Sequence, residues 1–128
     1  MMNFLDPYAP ALRSVLRIIA GLLFLHFGLA KIFHFPLVPA FATVAPTDWP
    51  EGYAGLIELV TGALLTLGLF SRIAAFLASG EMALGYFLVH FPRNFFPAIN
   101  GGTAAILFAF VFLYLAAAGP GPWAVNQK

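Results

Sequence analysis

Residues 52–91 read GYAGLIELVTGALLTLGLFSRIAAFLASGEMALGYFLVHF. The stretch holds two apolar runs separated only by Ser71-Arg72, and each run contains one carboxylate, Glu58 or Glu81. A connection this short predicts two antiparallel neighbouring helices. A carboxylate within hydrocarbon costs about 2.5–3.5 kcal/mol even on lenient insertion scales. Both glutamates are therefore expected to face a partner, a cavity or a ligand.

The composition of the whole chain indicates a membrane protein. Of its 128 residues, 62% are hydrophobic and 9% are charged, whereas a soluble domain carries roughly 25% charged residues. The mean hydropathy is +0.92. A formal net charge of +1 provides no basic field for nucleic acid. The chain has no Cys, which excludes thiol chemistry, disulfides and thiolate metal sites built by this chain alone.

Four apolar stretches predict four helices, at about 12–34, 52–70, 72–91 and 101–118. Each is close to the length of about 20 residues that crosses a hydrocarbon core of roughly 30 Å. Strict alternation of apolar and polar residues is absent, which argues against a barrel. The predicted fold is an all-α membrane protein, a single domain over residues 1–128. Its four transmembrane helices form an antiparallel up-down bundle.

The positions of Lys and Arg predict the orientation of this bundle. Four basic residues fall at the end that carries both termini: Arg13, Arg17, Arg72 and Lys128. Two fall at the other end: Lys31 and Arg93. Cytoplasmic loops carry the excess of basic residues, so both termini are expected in the cytoplasm. Arg13, Arg17 and Arg72 are most simply interpreted as determinants of this topology.

Small and polar residues share one face of each of the first three helices. At about 100° per residue these faces group Arg17, Gly21, Phe24, Gly28, Lys31; then Gly55, Glu58, Gly62, Thr66; then Ala74, Ala78, Glu81, Gly85. In membranes small residues mark packed helix interfaces. Five glycines are accordingly predicted to serve packing: Gly21, Gly28, Gly55, Gly62 and Gly85. Both glutamates should point into the bundle.

The two glutamates differ in their expected partners. Lys31 lies near the outer end of helix 1 on a flexible stem, so an ion pair with Glu58 is feasible. That pair is as readily structural as functional. Glu81 has no equally evident cation, because by the helical angle His26 lies about 180° from the Lys31 stripe and His90 lies opposite Glu81, although a frayed helix end could turn His90. Glu81 is therefore expected to carry a proton or to bind a ligand or partner. The histidines do not converge, so no metal site is expected.

Several segments together resemble the DoxX family of small four-helix membrane proteins. They are LRIIAGLLFLHFGLAKIF (16–33), ELVTGALLTLGLFSR (58–72), HFPRNFFPAINGG (90–102) and GPGPWAVN (119–126). The resemblance covers nearly the whole chain, and it rests on the order and spacing of these motifs. Relatives often carry an acidic residue where Thr103 stands here, and the family varies at Glu81.

The resemblance implies a multi-pass protein of the bacterial inner membrane. Some DoxX-like proteins are tied to quinone-linked sulfur oxidation, such as thiosulfate:quinone oxidoreductase. Others join membrane complexes that handle thiol and oxidative stress. Its expected partners are the lipid bilayer and redox-enzyme proteins, within a homo- or hetero-oligomer and without nucleic acid. The expected cofactor is a non-covalently bound quinone.

The leading hypothesis is a quinone-linked subunit of such a redox complex. Lys31 and Glu58 would form a polar pair at an outer-facing cavity, and Glu81 would bind or relay a proton. His90 or Asn100 would contact a head group. Two alternatives stay open: a non-catalytic scaffold and, less favoured, a small-solute transporter. No phosphate loop, H-E-x-x-H or G-x-S-x-G motif occurs, so catalytic residues remain unassigned and enzymatic activity is left open.

Overall fold

The computed structural model describes residues 3–128, so the first two residues of the predicted domain lie outside the described part. Residues 3–128 form helices and loops, with no strand among them. A 3₁₀ turn, Asn3–Tyr8, leads into α1, Ala9–Ile32; α2 is Glu51–Leu67 and α3 is Ser71–Gly85. The α3 helix continues through a π turn, Tyr86–His90, and a 3₁₀ turn, Phe91–Arg93. A short α4, Pro97–Asn100, precedes α5, Thr103–Ala118.

The connection between α2 and α3 is a tight turn set by Gly68. Gly68 has φ 74°, a left-handed conformation that glycine adopts without a steric penalty. Its N–H donates to the carbonyl of Leu64 at 2.9 Å, and the N–H of Leu69 donates to the same carbonyl at 2.9 Å. This C-terminal cap ends α2 at Leu67, three residues before the predicted end. Residues 68–70 alone then join the two helices.

The helices pack mainly in two pairs, α1 with α2 and α3 with α5. In the first pair the backbones touch at glycines. A Cβ added to Gly28 would lie 2.5 Å from the backbone nitrogen of Leu59. One added to Gly62 would lie 2.5 Å from the backbone nitrogen of Leu25. Gly21 and Gly55 are similarly crowded, so these four predicted packing glycines do lie at helix contacts.

Gly85 does not pack in the predicted way. The only atom near an added Cβ at this position is Oε2 of Glu81, at an ordinary 3.6 Å. The reason is that this face of α3 lines cavities on the α2 side instead of touching another helix. Gly85 therefore keeps space open next to Glu81.

A small apolar core joins the two helix pairs. Phe24 of α1 and Phe112 of α5 are buried, with ring centroids 4.7 Å apart in an edge-to-face contact. Ala20, Leu65, Leu115 and three alanines of α3 complete this cluster. Because alanines present little bulk, α3 approaches the core closely. The predicted inward face of α3 is therefore correct at Ala74 and Ala78.

Arg17 holds the C-terminal tail against α1 and α2. Its side chain is 1% exposed, and its guanidinium donates to the carbonyls of Leu65 at 2.8 Å, Pro120 at 2.5 Å and Trp123 at 2.7 Å. Arg72 donates to the last carbonyls of α5, with 2.6 Å to that of Ala117. The sequence analysis interpreted Arg17 and Arg72 as topology determinants. It missed their structural role, because these hydrogen bonds form only in the folded chain.

Large apolar side chains cover the outside of the helices. Phe76, Leu84 and Phe110 are each more than 60% exposed, and contiguous apolar surface of this kind marks membrane or protein contact. Two helical stretches are long and apolar enough to cross a membrane, Asn3–Ile32 and Ser71–Arg93. The α5 helix is a shorter apolar helix, and α2 has 17 residues.

The contact between α1 and α2 leads to a stability prediction. Gly62→Ala places a Cβ against the Leu25 backbone, which cannot yield locally, so we expect a loss of about 1–3 kcal/mol in stability. Thermal denaturation in mild detergent measures it. Gly80→Ala is the matched control, since no atom lies within 4 Å of an added Cβ there. Equal melting temperatures for the two variants would contradict the contact.

Candidate functional site

Lys31 forms two ion pairs where α1 meets α2. Its Nζ lies 3.1 Å from Oε2 of Glu58 and 3.1 Å from Oε2 of Glu51. The ammonium also lies 5.0 Å from the ring centroid of Phe41. The Lys31–Glu58 pair agrees with the sequence analysis, which missed Glu51. The signal was available, because residues seven apart on α2 share a face.

Glu58 and Glu81 each keep one buried oxygen without a hydrogen-bond donor among the described residues. Glu58 is 1% exposed; its Oε2 accepts from Lys31, but its Oε1 has no partner. Oε1 of Glu81 is in the same situation. Both carboxyl groups line the same small space. Carboxylates only accept hydrogen bonds, so this arrangement calls for a proton or another donor.

These residues surround a small chamber of about 70 Å³ between α2 and α3. Lys31, Glu51, Glu58, Glu81 and His90 all line it. Three carboxylates face one ammonium, so the formal charge of these four groups is −2 before any proton or ligand is counted. The chamber is therefore built to receive positive charge.

His90 reaches this chamber because α3 ends in a π turn. The N–H of Phe91 donates to the carbonyl of Tyr86, five residues earlier. A π turn holds more residues per turn than an α-helix, so the side-chain directions after Tyr86 rotate. Regular α-helical angles place His90 opposite Glu81, and the sequence analysis allowed only a frayed helix end to turn it; here a π turn brings His90 to the same chamber as Glu81.

Asn100 supports His90 from outside the cavities. Asn100 is 1% exposed; its amide donates to Tyr86 Oη at 3.1 Å and to the Asn94 carbonyl at 2.9 Å. Its Oδ1 accepts from the N–H of Gly102 at 2.8 Å. His90 Nδ1 lies 3.0 Å from the Asn100 carbonyl, which can only accept, so Nδ1 carries the hydrogen of this contact. Asn100 is thus brought to His90 rather than to the cavity where it was expected.

A larger cavity of about 360 Å³ opens beside the chamber. Its walls carry aromatic rings and a few charged or polar groups: Phe24, Phe27, Phe41, Phe108, and Lys31, Glu51, Glu58, His90, Arg93. Small-molecule sites are typically concave and apolar with a few placed polar groups. We call this space the aromatic cavity.

A second space of about 350 Å³ runs along the outside of α2 and α3. Its lining is apolar and aromatic, with Glu81 as the one charged residue: Trp49, Pro50, Tyr53, Ala54, Ile57, Phe76, Leu77, Gly80, Glu81, Leu84, Gly85, Leu88. We call it the lateral groove. The sequence analysis did not foresee it, because the groove depends on the relative placement of α2 and α3.

The comparisons with known proteins point to one family. The family model described as DoxX matches residues 12–91, which include all five residues named above as lining the chamber. An uncharacterized protein of Haemophilus influenzae is 41% identical over 130 residues, covering 99% of this chain and 97% of the relative. No solved structure matches the chain.

The matched region spans α1, α2 and α3, the elements that build the chamber. The resemblance carried by the motifs of helices 1 and 2 is thus confirmed by an independent comparison of the sequence. The family is membrane-associated, in agreement with the apolar helices described above. The chain therefore belongs to the DoxX family.

Proposed function

We propose that the protein is a multi-pass protein of the bacterial cytoplasmic membrane with four spans. The spans are α1, α2, α3 with its continuation to Arg93, and α5. At 1.5 Å per residue the 17 residues of α2 extend about 25 Å, a mismatch that a bilayer absorbs by modest local thinning. The basic residues Arg13, Arg72 and Lys128 favour cytoplasmic termini.

This placement predicts the behaviour of reporters fused to the termini. A phosphatase that is active only outside the cytoplasm should be inactive at the C-terminus, because the last span returns to the cytoplasmic side. The same reporter inserted after Asn94, in the loop that follows α3, should be active. Phosphatase activity at the C-terminus and none after Asn94 would show that the orientation is the opposite of the one proposed.

We propose further that the aromatic cavity binds a quinone, and that the protein is a non-autonomous subunit of a membrane redox complex. The observation that carries this is the combination of aromatic rings and donor side chains in the cavity wall. Lys31 and Arg93 offer only donors, and quinone carbonyl oxygens only accept. Phe27 and Phe41, with ring centroids 6.5 Å apart, provide faces for a planar head group. The residues present therefore fit the ligand.

A bound quinone supplies two-electron redox chemistry that this chain lacks. The chain's own residues bind and orient the head group and hold a proton beside it. Lys31 donates to a carbonyl oxygen of the ligand while staying paired with Glu51 and Glu58. The unpartnered oxygens of Glu58 and Glu81 provide a place for a proton next to the cavity. As a non-autonomous subunit, the protein would receive electrons from a partner protein of the complex.

Quinone retention tests this function. Protein purified in mild detergent should retain quinone, and Glu58→Gln or Glu81→Gln should change the amount bound, because the charge beside Lys31 changes. Extraction and chromatography of the bound lipids measure it. Asp6→Asn is the matched control, since Asp6 is exposed near the N-terminus, outside both cavities. The proposal is contradicted if the purified protein retains no quinone and if quinone added to it binds equally to the parent protein and to both glutamine variants.

A non-catalytic scaffold is the second candidate, and the α1–α2 interface favours it. Lys31–Glu58 lies in the same interface as the backbone contacts of Gly28 and Gly62. In a scaffold the pair would only hold the two helices in register.

The scaffold hypothesis predicts the outcome of a charge exchange. Glu58→Lys alone places two ammonium groups together and should prevent folding. Adding Lys31→Glu should restore both folding and partner recovery, measured by co-purification from native membranes. If the double variant recovers neither folding nor partner recovery, that result contradicts the scaffold hypothesis.

A further inference from the structure

We propose that the lateral groove and the chamber together form a binding site for a single-chain amphiphile with a primary ammonium head. The alkyl chain lies in the groove, and the head enters the chamber past Glu81. The chamber borders the aromatic cavity and shares Lys31, Glu51, Glu58 and His90 with it, but the proposal does not depend on quinone binding.

The groove fits an apolar chain that arrives from the lipid side. Its walls include exposed residues of both helices, among them Ile57, Phe76, Leu84 and Leu88. Among the described residues, apart from the neighbouring backbone of α3 itself, none has an atom within 4 Å of a Cβ added at Gly80, so the floor of the groove is open there. A volume of about 350 Å³ is at the small end of ligand pockets. One chain fits such a space better than the two chains of a phospholipid.

The chamber fits a small cation with several N–H donors. Its three carboxylates outnumber the Lys31 ammonium by two. Oε1 of Glu58, on a side chain that is 1% exposed, has no donor among the residues described, and Oε1 of Glu81 has none either. A primary ammonium offers three donors and a positive charge, which satisfies both oxygens. A chamber of about 70 Å³ admits that group but little more.

The two spaces are adjacent and share one wall. Pro50, Ala54, Glu81 and Gly85 line both of them. Gly85 carries no side chain, and Oε2 of Glu81 would lie 3.6 Å from a Cβ at that position. The missing side chain keeps the space beside the Glu81 carboxyl group free, so a ligand can contact that group from the groove.

Charge complementarity selects among amphiphiles of similar length. A carboxylate head would be repelled by Glu51, Glu58 and Glu81. A zwitterionic phospholipid would bring its phosphate against the same groups. An alcohol offers one donor and no charge. Trp49 and Tyr53, with ring centroids 5.7 Å apart at the groove, provide aromatic faces that favour an entering ammonium.

The test uses Trp49 as a reporter within the intact chain. Trp123→Phe leaves Trp49 as the only tryptophan. In nanodiscs of phosphatidylcholine, brominated dodecylamine should quench Trp49 in a saturable manner. Half-saturation should occur at a concentration about tenfold or more below that of brominated dodecanol, because the ammonium makes charge-assisted hydrogen bonds. Brominated dodecanoate should show no saturable quenching.

Two variants localise the site. Glu81→Gln should abolish the preference for the amine over the alcohol while the alcohol still quenches. Gly80→Leu should remove saturable quenching by filling the groove, whereas Ala83→Leu places the same leucine side chain at an exposed position of α3 outside it. Circular dichroism confirms that each variant is folded. Equal quenching by the three probes, or equal saturation in Gly80→Leu and Ala83→Leu, would overturn the proposal. These readouts are independent of quinone retention.

Discussion

The direct backbone contact between α1 and α2 is the constraint on which the site depends. Gly28 faces the Leu59 backbone and Gly62 faces the Leu25 backbone, so the two helix axes can approach only because neither position has a side chain. This approach brings Lys31 to Glu58 and Glu51, at 3.1 Å from each. Burying the Glu58 carboxylate is tolerated because that ammonium is held beside it.

The same contact leaves the third carboxylate without a cation of its own. Glu81 comes from α3, which packs mainly on α5, and the side of α3 that faces α2 remains partly open. The result is a chamber rich in acceptors with two larger spaces beside it, one walled by aromatic rings and one open along α2 and α3. A head group or proton in the chamber is therefore within reach of ligands on either side. The two proposed ligands use different walls of this one polar centre.

Prediction from the sequence worked where helical periodicity decided the outcome. Small residues at intervals of three and four located the contact faces of α1 and α2, and the same angles paired Lys31 with Glu58. It failed where the backbone left regular geometry or where distant segments met. The π turn changed the direction of the His90 side chain. The Asn100 amide is hydrogen-bonded to Tyr86, and the Arg17 guanidinium is hydrogen-bonded to the C-terminal tail. None of these interactions has a period that a sequence pattern can reveal.

By itself, the sequence determined that the described chain is helical and apolar, which residues face inward, and that two glutamates needed partners. Composition and periodicity carry that information because burial in a helix repeats every three to four residues. Only the tertiary structure decided that Gly85 opens space instead of closing it, and that Glu81 lies between a polar chamber and an apolar groove. Those outcomes depend on the relative placement of α2 and α3, which short-range spacing does not encode.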